Sequence, residues 1–166
     1  MESLKTKLMR WYFNFFPAYR GSGAWVTYYS HDQREIRIKL PLSRRTRNYV
    51  GTIYGGSMYS AVDPIYMFML IQNLPKGTIV WDKAATIRFK RPGRETLYAT
   101  FKLDEQEIQA IRAELQEKNS IDRQYVVDLV DVRGTVHTTI EKTIYIRRAP
   151  KEATPCLLYT SDAADE

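Results

Sequence analysis

One long apolar segment constrains the fold of this chain more than any other feature. It covers residues 57–74, and its apolar side chains fall on nearly every face of a helix: Met58, Ala61, Val62, Ile65, Met67, Phe68, Leu70 and Ile71. A helix that is apolar on most faces must be buried on most sides. A β-sheet wrapped around this helix is the economical solution, and an α+β fold is therefore predicted.

The rest of the chain supplies the strands for such a sheet. Alternating apolar and polar residues predict strands near 25–30, 35–40, 78–90, 96–103, 125–132 and 135–146. The last two strands flank Arg133-Gly134, which predicts a compact hairpin turn. A second helix is predicted over 104–118, with Asp104 as its N-cap and Glu107 three residues later.

A polar motif lies at the start of the long helix. It consists of Asn48, Gly51, Thr52, Gly55, Gly56 and Asp63. The paired glycines before an apolar helix leave unsatisfied N–H groups that a ligand oxygen can approach closely. Seven residues make nearly two helical turns, so Asp63 lies on the same helix face as the Gly56 amide. A polarising amide, a carboxylate and a carboxamide are the groups needed to attack an acyl carbon.

Asp63 also has a purely structural interpretation. A carboxylate within an apolar helix can be a buried acid paired with an arginine, or it can cap the segment that follows it. Pro64 lacks an N–H and disfavours helical geometry at the residue before it, so a kink or break is expected there.

A basic stretch follows the helix. Lys83, Arg88, Lys90, Arg91 and Arg94 lie within twelve residues of one another. They either bind the phosphates of a ligand such as coenzyme A or form a solvated sheet face. No helix-turn-helix pattern, zinc-ligand spacing or single-strand-binding signature accompanies the charge, so a nucleic-acid partner is not expected.

The motif resembles that of the hot-dog-fold acyl-CoA thioesterases, especially the phenylacetate-pathway type, with Tyr54 where that family has a histidine. Residues 81–83, 88–94 and 141–143 resemble a subfamily of the same clan known only as a domain of unknown function. The resemblance covers residues 4–148. It implies a hot-dog fold with an N-terminal helix and one extra helix between strands, and an acyl-CoA substrate with no metal or redox cofactor.

The resemblance also implies roles for individual residues. Asp63 would be the general base or nucleophile, the Gly56 amide would hold the oxyanion, and Asn48 would orient the water or the carbonyl. The implied substrate-binding residues are Thr52, Tyr54, Gly55, Arg88, Lys90, Arg91 and Arg94, with Tyr59, Tyr66 and Phe68 along an acyl tunnel. A non-catalytic acyl-CoA or fatty-acyl binding module on the same fold is the alternative. A basic structural or nucleic-acid-associated protein is a third interpretation.

Helix geometry predicts the oligomer. Seven residues at ~1.5 Å each separate Gly56 from Asp63 by about 10 Å, which is too far for both to act on one thioester carbon. A two-fold dimer that presents the glycine end of one helix to the acid of its partner removes this difficulty. A homodimer or a dimer of dimers is therefore expected.

Length and composition limit the remaining possibilities. The 166 residues, 44% of them hydrophobic, predict one domain over 1–150 and a tail over 151–166. No stretch of 18 apolar residues exists, so no membrane span is expected. Residues 156–166 look like a translated sequencing adapter, and they contain the single cysteine, Cys156. Without them the chain has 25 cations and 16 acids, a net charge of +9. A chain without thiol chemistry suits a reducing compartment, so a cytoplasmic location is expected.

The N-terminus predicts an amphipathic helix. Leu4, Leu8, Trp11 and Phe15 recur at helical spacing, which favours packing of that face on the body of the domain. Pro17 is expected to end the helix. A membrane-surface role for residues 10–13 is the alternative.

Overall fold

The computed structural model describes residues 1–148, so the expectations for the tail lie outside the described residues. This part of the chain is an α+β structure with four helices and six strands. The elements in chain order are α1 (Leu4–Phe15), α2 (Pro17–Ser22), β1 (Trp25–Tyr29), β2 (Glu35–Leu40), α3 (Gly55–Asn73), β3 (Ile79–Phe89), β4 (Leu97–Lys102), α4 (Glu105–Glu117), β5 (Ser120–Val130) and β6 (Val136–Arg147). None of the helices in residues 1–148 is long and apolar enough to cross a membrane.

The six strands form one antiparallel sheet in the order β1-β2-β4-β5-β6-β3. The helix α3 packs on this sheet with Ala61, Val62, Ile65, Met69 and Leu70 fully buried. Their partners include the inward-facing side chains of β2, β4 and β6. The predicted arrangement of a sheet around a long buried helix is confirmed, and its physical cause is that no face of α3 suits water.

The helix α3 does not break at Pro64, so the expectation of a break there is wrong. It runs continuously from Gly55 to Asn73. A proline removes one backbone donor and disturbs the carbonyls of the preceding turn. Pro64 leaves only the carbonyl of Ser60, four residues earlier, without its helical donor. The residues around it, Ala61, Val62 and Ile65, are fully buried, and this packing holds the helix together across the missing bond.

The helix α1 forms as predicted but presents the opposite face to the body, which corrects the expected packing. Leu4, Leu8, Trp11 and Phe15 are exposed, whereas Thr6 and Asn14 are buried. The orientation is set by Asn14, whose side chain donates to Val26 O at 3.0 Å and accepts from Val26 N at 2.7 Å. These bonds satisfy the backbone of the edge strand β1, which apolar side chains cannot do.

Smaller differences also have local causes. The helix α1 ends before Pro17 as predicted, and Pro17 also opens the short helix α2, because proline suits the first turn of a helix. The strand β5 begins five residues before the predicted start, through a polar stretch without apolar alternation. The predicted N-cap of α4 is confirmed, since Asp104 Oδ1 accepts from Glu107 N at 2.7 Å.

Candidate functional site

A buried ammonium group links the helix α3 to the sheet. Lys142, on β6, has no exposed side-chain surface, and its Nζ lies 2.9 Å from Asp63 Oδ1. The same nitrogen also donates to the Asp63 carbonyl. Asp82 Oδ1, from β3, lies 2.8 Å away as an ion pair, although this contact lacks hydrogen-bond geometry. One cation thus faces two carboxylates, and we call these three residues the Asp63–Lys142–Asp82 cluster.

The position of Lys142 follows from the pattern of β6. Ile140, Lys142, Ile144 and Ile146 occupy alternate positions on the strand, and all four are buried. Since alternate residues of a strand face the same side, a lysine in this series must point into the protein. A buried lysine requires carboxylate partners. This signal was available in the sequence, but sequence reasoning missed Lys142 and Asp82 as site residues.

The surroundings of the cluster shift two acid–base equilibria. Burial raises the pKa of the Asp82 carboxyl, with a further rise from the nearby Asp63 carboxylate and an opposing effect from Lys142. Burial, aided by Asp63, also raises the pKa of Tyr59 to about 12. The Lys142 ammonium lies 5.7 Å from the centre of the Tyr59 ring.

Asp63 also faces a large apolar cavity. The cavity has a volume of ≈ 750 Å³ and lies between α3 and the two N-terminal helices. Its lining consists of Leu8, Met9, Tyr12, Phe13, Phe16, Ala18, Tyr19, Ser60, Asp63, Pro64, Met67, Phe68 and Ile71. The Asp63 side chain remains 39% exposed despite its bond to Lys142. It is therefore a charged group on the wall of a cavity that otherwise suits a hydrocarbon chain. Phe68 belongs to this lining, as the implied acyl tunnel predicts, but Tyr66 instead packs in the core against Phe101 and Tyr125.

The other end of the predicted site is the N-terminus of α3. The N–H groups of Gly55, Gly56 and Ser57 have no hydrogen-bond acceptor within residues 1–148. Both glycines lie against aromatic rings: a Cβ on Gly55 would lie 2.9 Å from the Phe89 ring, and one on Gly56 would lie 2.2 Å from the Tyr54 ring, so a side chain at either position would displace an exposed ring. The amides at this helix start are available to an anionic oxygen.

A second pocket lies beside this helix start. It has a volume of ≈ 410 Å³, and its lining consists of Asn48, Thr52, Ile53, Gly55, Met58, Phe89, Lys90, Arg91, Pro92 and Gly93. The Asn48 side chain donates to Thr52 Oγ1 at 2.9 Å and accepts from Thr52 N at 3.0 Å and Val50 N at 3.1 Å. It therefore holds the loop before the helix in shape.

The predicted basic residues divide into two groups. Lys90 and Arg91 line the second pocket, where their cationic side chains can meet phosphate. Arg88 lies outside the pocket lining and pairs with Glu141 at 3.0 Å on the exposed surface of the sheet. Arg94 is exposed in the loop between β3 and β4. Tyr54 and Gly56 lie at the helix start but do not line either pocket.

The two ends of the predicted site thus lie in separate pockets of one chain. Asp63 lines the first pocket, Asn48, Thr52 and Gly55 line the second, and the two linings share no residue. The structure brings the glycine loop together with Lys90 and Arg91, but it does not bring this group to Asp63.

Comparison with solved structures defines the fold class. A protein of unknown function from Pseudomonas aeruginosa, described as a probable thioesterase, superposes with a TM-score of 0.78 at 20% identity over 88% of this chain and 97% of that one. A protein of unknown function from Chlorobaculum tepidum gives a TM-score of 0.68 at 14% identity, over 87% and 94% of the two chains. A thioesterase from Haemophilus influenzae gives 0.64 at 13% identity, over 87% and 92%. With its sheet around one long helix, the chain has the hot-dog fold.

The family follows from a sequence comparison. Residues 5–146 match the model described as Domain of unknown function (DUF4442). The chain belongs to this family, as the sequence resemblance predicted. No curated protein matches the chain.

Proposed function

We propose that this protein hydrolyses acyl thioesters, with coenzyme A as the thiol carrier. One observation carries the proposal: the Asp63 carboxylate is fixed by a buried ammonium group and faces an apolar cavity of ≈ 750 Å³. A carboxylate in such a position can receive a proton from water next to a bound acyl chain. The thioesterase neighbours share the fold and so agree with the proposal.

The proposed reaction uses groups of the protein and one water molecule. Asp63 accepts a proton from the water molecule while the water oxygen attacks the thioester carbon. The carbonyl oxygen becomes an oxyanion that the Gly56 amide stabilises at the helix start. The carbon–sulfur bond then breaks, the proton passes to the departing thiolate, and a carboxylic acid and a free thiol remain. Asp63 acting as a nucleophile, through an anhydride that water then hydrolyses, gives the same products.

The two pockets suit the two parts of an acyl-CoA. The apolar cavity accommodates the acyl chain, while Lys90 and Arg91 in the second pocket provide cations for the phosphates of coenzyme A. Arg94 lies a few residues further along the same loop.

A second copy of the chain completes the proposed site. The Gly56 amide and Asp63 are about 10 Å apart along one helix, and both must approach one carbon within about 3 Å. We therefore propose a two-fold homodimer in which the glycine end of one α3 faces Asp63 of the other. Each dimer then has two sites.

A non-catalytic acyl-CoA binding module is the second candidate, and specific contacts favour it. The Asn48 side chain already makes three hydrogen bonds within its own loop. Asp63 is engaged with Lys142, and Tyr54 stands where the related thioesterases have a histidine. Such a protein binds acyl-CoA in the same two pockets without cleaving it.

A hydrolysis assay with matched variants tests the proposal. Acyl-CoA substrates of increasing chain length are incubated with the protein, and the released thiol is measured with a thiol-reactive dye. Asp63→Asn keeps the size of the side chain but removes the base, so the rate should fall by on the order of 100-fold. Asp82→Asn removes a charge from the same cluster without altering the cavity lining, and it should reduce the rate far less. Circular dichroism checks that both variants fold.

The same experiment separates the two candidates. Thiol release by the wild type that Asp63→Asn does not reduce would contradict the role of Asp63. Saturable binding of acyl-CoA by calorimetry, with no thiol release from any substrate, would instead support the binding module.

A further inference from the structure

The helix α1 presents an exposed apolar face. Leu4, Leu8, Trp11 and Phe15 are 77%, 61%, 62% and 44% exposed, and they lie in one row along the helix. Tyr12, Phe16 and Trp25 extend the row into a patch. No part of residues 1–148 covers it. We call these seven residues the α1 apolar patch.

The outward orientation of the patch is fixed by contacts on the opposite side of the helix. Asn14 is hydrogen-bonded to both backbone groups of Val26, and Arg10 pairs with Glu2 at 2.9 Å. The helix start is closed by a capping box between Ser3 and Thr6. Since these contacts hold the inner face on the body, α1 cannot turn its apolar side inward without losing them.

The aromatic rings of the patch are already packed on one another. The ring centres of Trp11 and Phe15 are 4.7 Å apart, and those of Phe15 and Trp25 are 6.4 Å apart. The patch is therefore a continuous ordered surface. Continuous exposed apolar surface in a folded domain marks an interaction site.

The charges around the patch indicate its partner. At about 100° per residue, Lys5 and Lys7 lie on opposite flanks of the row formed by Leu4, Leu8 and Trp11. Residues 4–22 contain the four cations Lys5, Lys7, Arg10 and Arg20 and no acid. An apolar face rich in aromatic residues and flanked by lysines has the composition of helices that lie in the interface of an anionic bilayer. Two copies of the patch face to face would instead bring their lysines together.

We propose that the α1 apolar patch docks this protein on anionic lipid bilayers, with α1 lying in the plane of the surface. The apolar side chains enter the boundary between headgroups and acyl chains, and the flanking lysines contact the headgroups. Leu8, Tyr12 and Phe16 belong both to the patch and to the lining of the large cavity. The cavity therefore opens at the docking surface. If the proposed function holds, acyl chains can enter it directly from the bilayer.

Flotation of the full chain with lipid vesicles tests the docking without any measurement of activity. Phosphatidylcholine vesicles with added phosphatidylserine should carry the protein, and pure phosphatidylcholine vesicles should carry much less. Leu4→Glu should weaken binding by on the order of tenfold or more, because a carboxylate enters the docking face. Val132→Glu is the matched control. It also replaces an exposed apolar side chain with a carboxylate, at a residue 75% exposed in the β5–β6 hairpin, and this variant should bind vesicles like the wild type.

Two further measurements define the geometry of the docking. Brominated lipids should quench part of the tryptophan fluorescence. Trp11→Phe should reduce that part, and Trp11→Phe combined with Trp25→Phe should remove it. Lys5→Gln combined with Lys7→Gln should abolish the preference for phosphatidylserine, whereas Lys76→Gln combined with Lys118→Gln should preserve it.

Three results would overturn the proposal. The first is no flotation with either vesicle. The second is an equal loss of flotation in Leu4→Glu and Val132→Glu. The third is that the protein self-associates without lipid, that Leu4→Glu abolishes this self-association, and that no flotation occurs. This result would make the patch an interface between copies of the chain. Leu4 does not line the cavity, so Leu4→Glu should still hydrolyse a soluble acyl-CoA even where it no longer floats with vesicles. Docking and the proposed function can therefore fail independently, and the two assays show which one has failed.

Discussion

Lys142 is the most deeply buried residue of the Asp63–Lys142–Asp82 cluster. An ammonium group without solvent exposure loses its hydration, and this loss is offset only by charged partners and hydrogen bonds. Asp63 and Asp82 supply two carboxylates, and the Asp63 carbonyl supplies a further acceptor. Because the lysine comes from β6 and the acids come from α3 and β3, the cluster fixes the helix on the sheet at one point.

Removing the lysine should therefore destabilise the fold. Lys142→Met keeps the length of the side chain but leaves two carboxylates facing each other. We expect a loss of about 2 kcal/mol in the free energy of unfolding, less than for a wholly buried unpaired charge, because both carboxylates are partly exposed. Urea unfolding followed by circular dichroism measures it. The double variant Lys142→Met/Asp82→Asn should recover part of the loss. A single variant as stable as the wild type would show that the pairing adds nothing to stability.

The residues of the site differ in how far the sequence could reveal them. Asp63, Asn48 and Gly55 could be predicted from their spacing because they lie within sixteen residues of one another. Lys142 and Asp82 are separated from Asp63 by long stretches of chain, and only the pairing of β3 with β6 brings them together. The sequence shows that a lysine lies among buried isoleucines, but not which carboxylates it meets.

At the scale of elements, the spacing of apolar residues alone gave the wrong orientation for α1. The period of apolar residues correctly predicted α1 as a helix but assigned the wrong face to the core. The inner face of α1 combines Met9 and Phe13, which pack against the core, with the buried polar residues Thr6 and Asn14. Asn14 satisfies the backbone of β1, a role that the spacing of apolar residues does not reveal. Similarly, α3 continues past Pro64 because its buried residues pack on strands that are remote in sequence, which no local pattern reveals.

The turn between β5 and β6 depends on one carboxylate. Asp131 Oδ1 accepts from Thr135 N at 2.8 Å and from Arg133 N at 2.9 Å. His137 Nε2 lies 3.5 Å and Arg133 Nε 3.9 Å from the other oxygen. The bonds from Thr135, more than any other contact, lower the pKa of the Asp131 carboxyl to about 2.

This lowered pKa predicts how stability changes with acid. The folded-state pKa is below the value of about 3.9 expected in the unfolded chain, so the carboxylate stabilises the fold above pH ~4. That contribution is lost as the pH falls from about 4 to about 2. Asp131→Asn should lower the urea midpoint at pH 5, and the difference from the wild type should shrink towards pH 2. A difference that stays constant between these pH values would show that the charge of Asp131 is not responsible.

At the scale of the whole molecule, β3 leaves the sheet incomplete. It is an edge strand of eleven residues that pairs with β6 on one side and with no strand of residues 1–148 on the other. Its exposed residues include Trp81 and Phe89. A long edge strand presents a row of unpaired backbone N–H and C=O groups, which is a template for pairing with another chain. This edge agrees with the proposed dimer. The geometry of such a dimer cannot be read from a sequence pattern.

Mixing two inactive variants tests whether the sites are shared between chains. Asn48→Ala impairs the glycine end and Asp63→Ala removes the acid, so each homodimer should be inactive. After subunit exchange about half of the dimers are mixed, and each mixed dimer has one site with both ends intact. About a quarter of the wild-type activity should therefore return. The result does not depend on whether Asn48 acts on the substrate or through the shape of its loop, because either effect stays at one end of the site. Exchange is followed by mass spectrometry of isotope-labelled chains. If exchange is complete and the mixture remains inactive, the sites are not shared, and Asp63 acts within its own chain or has no catalytic role.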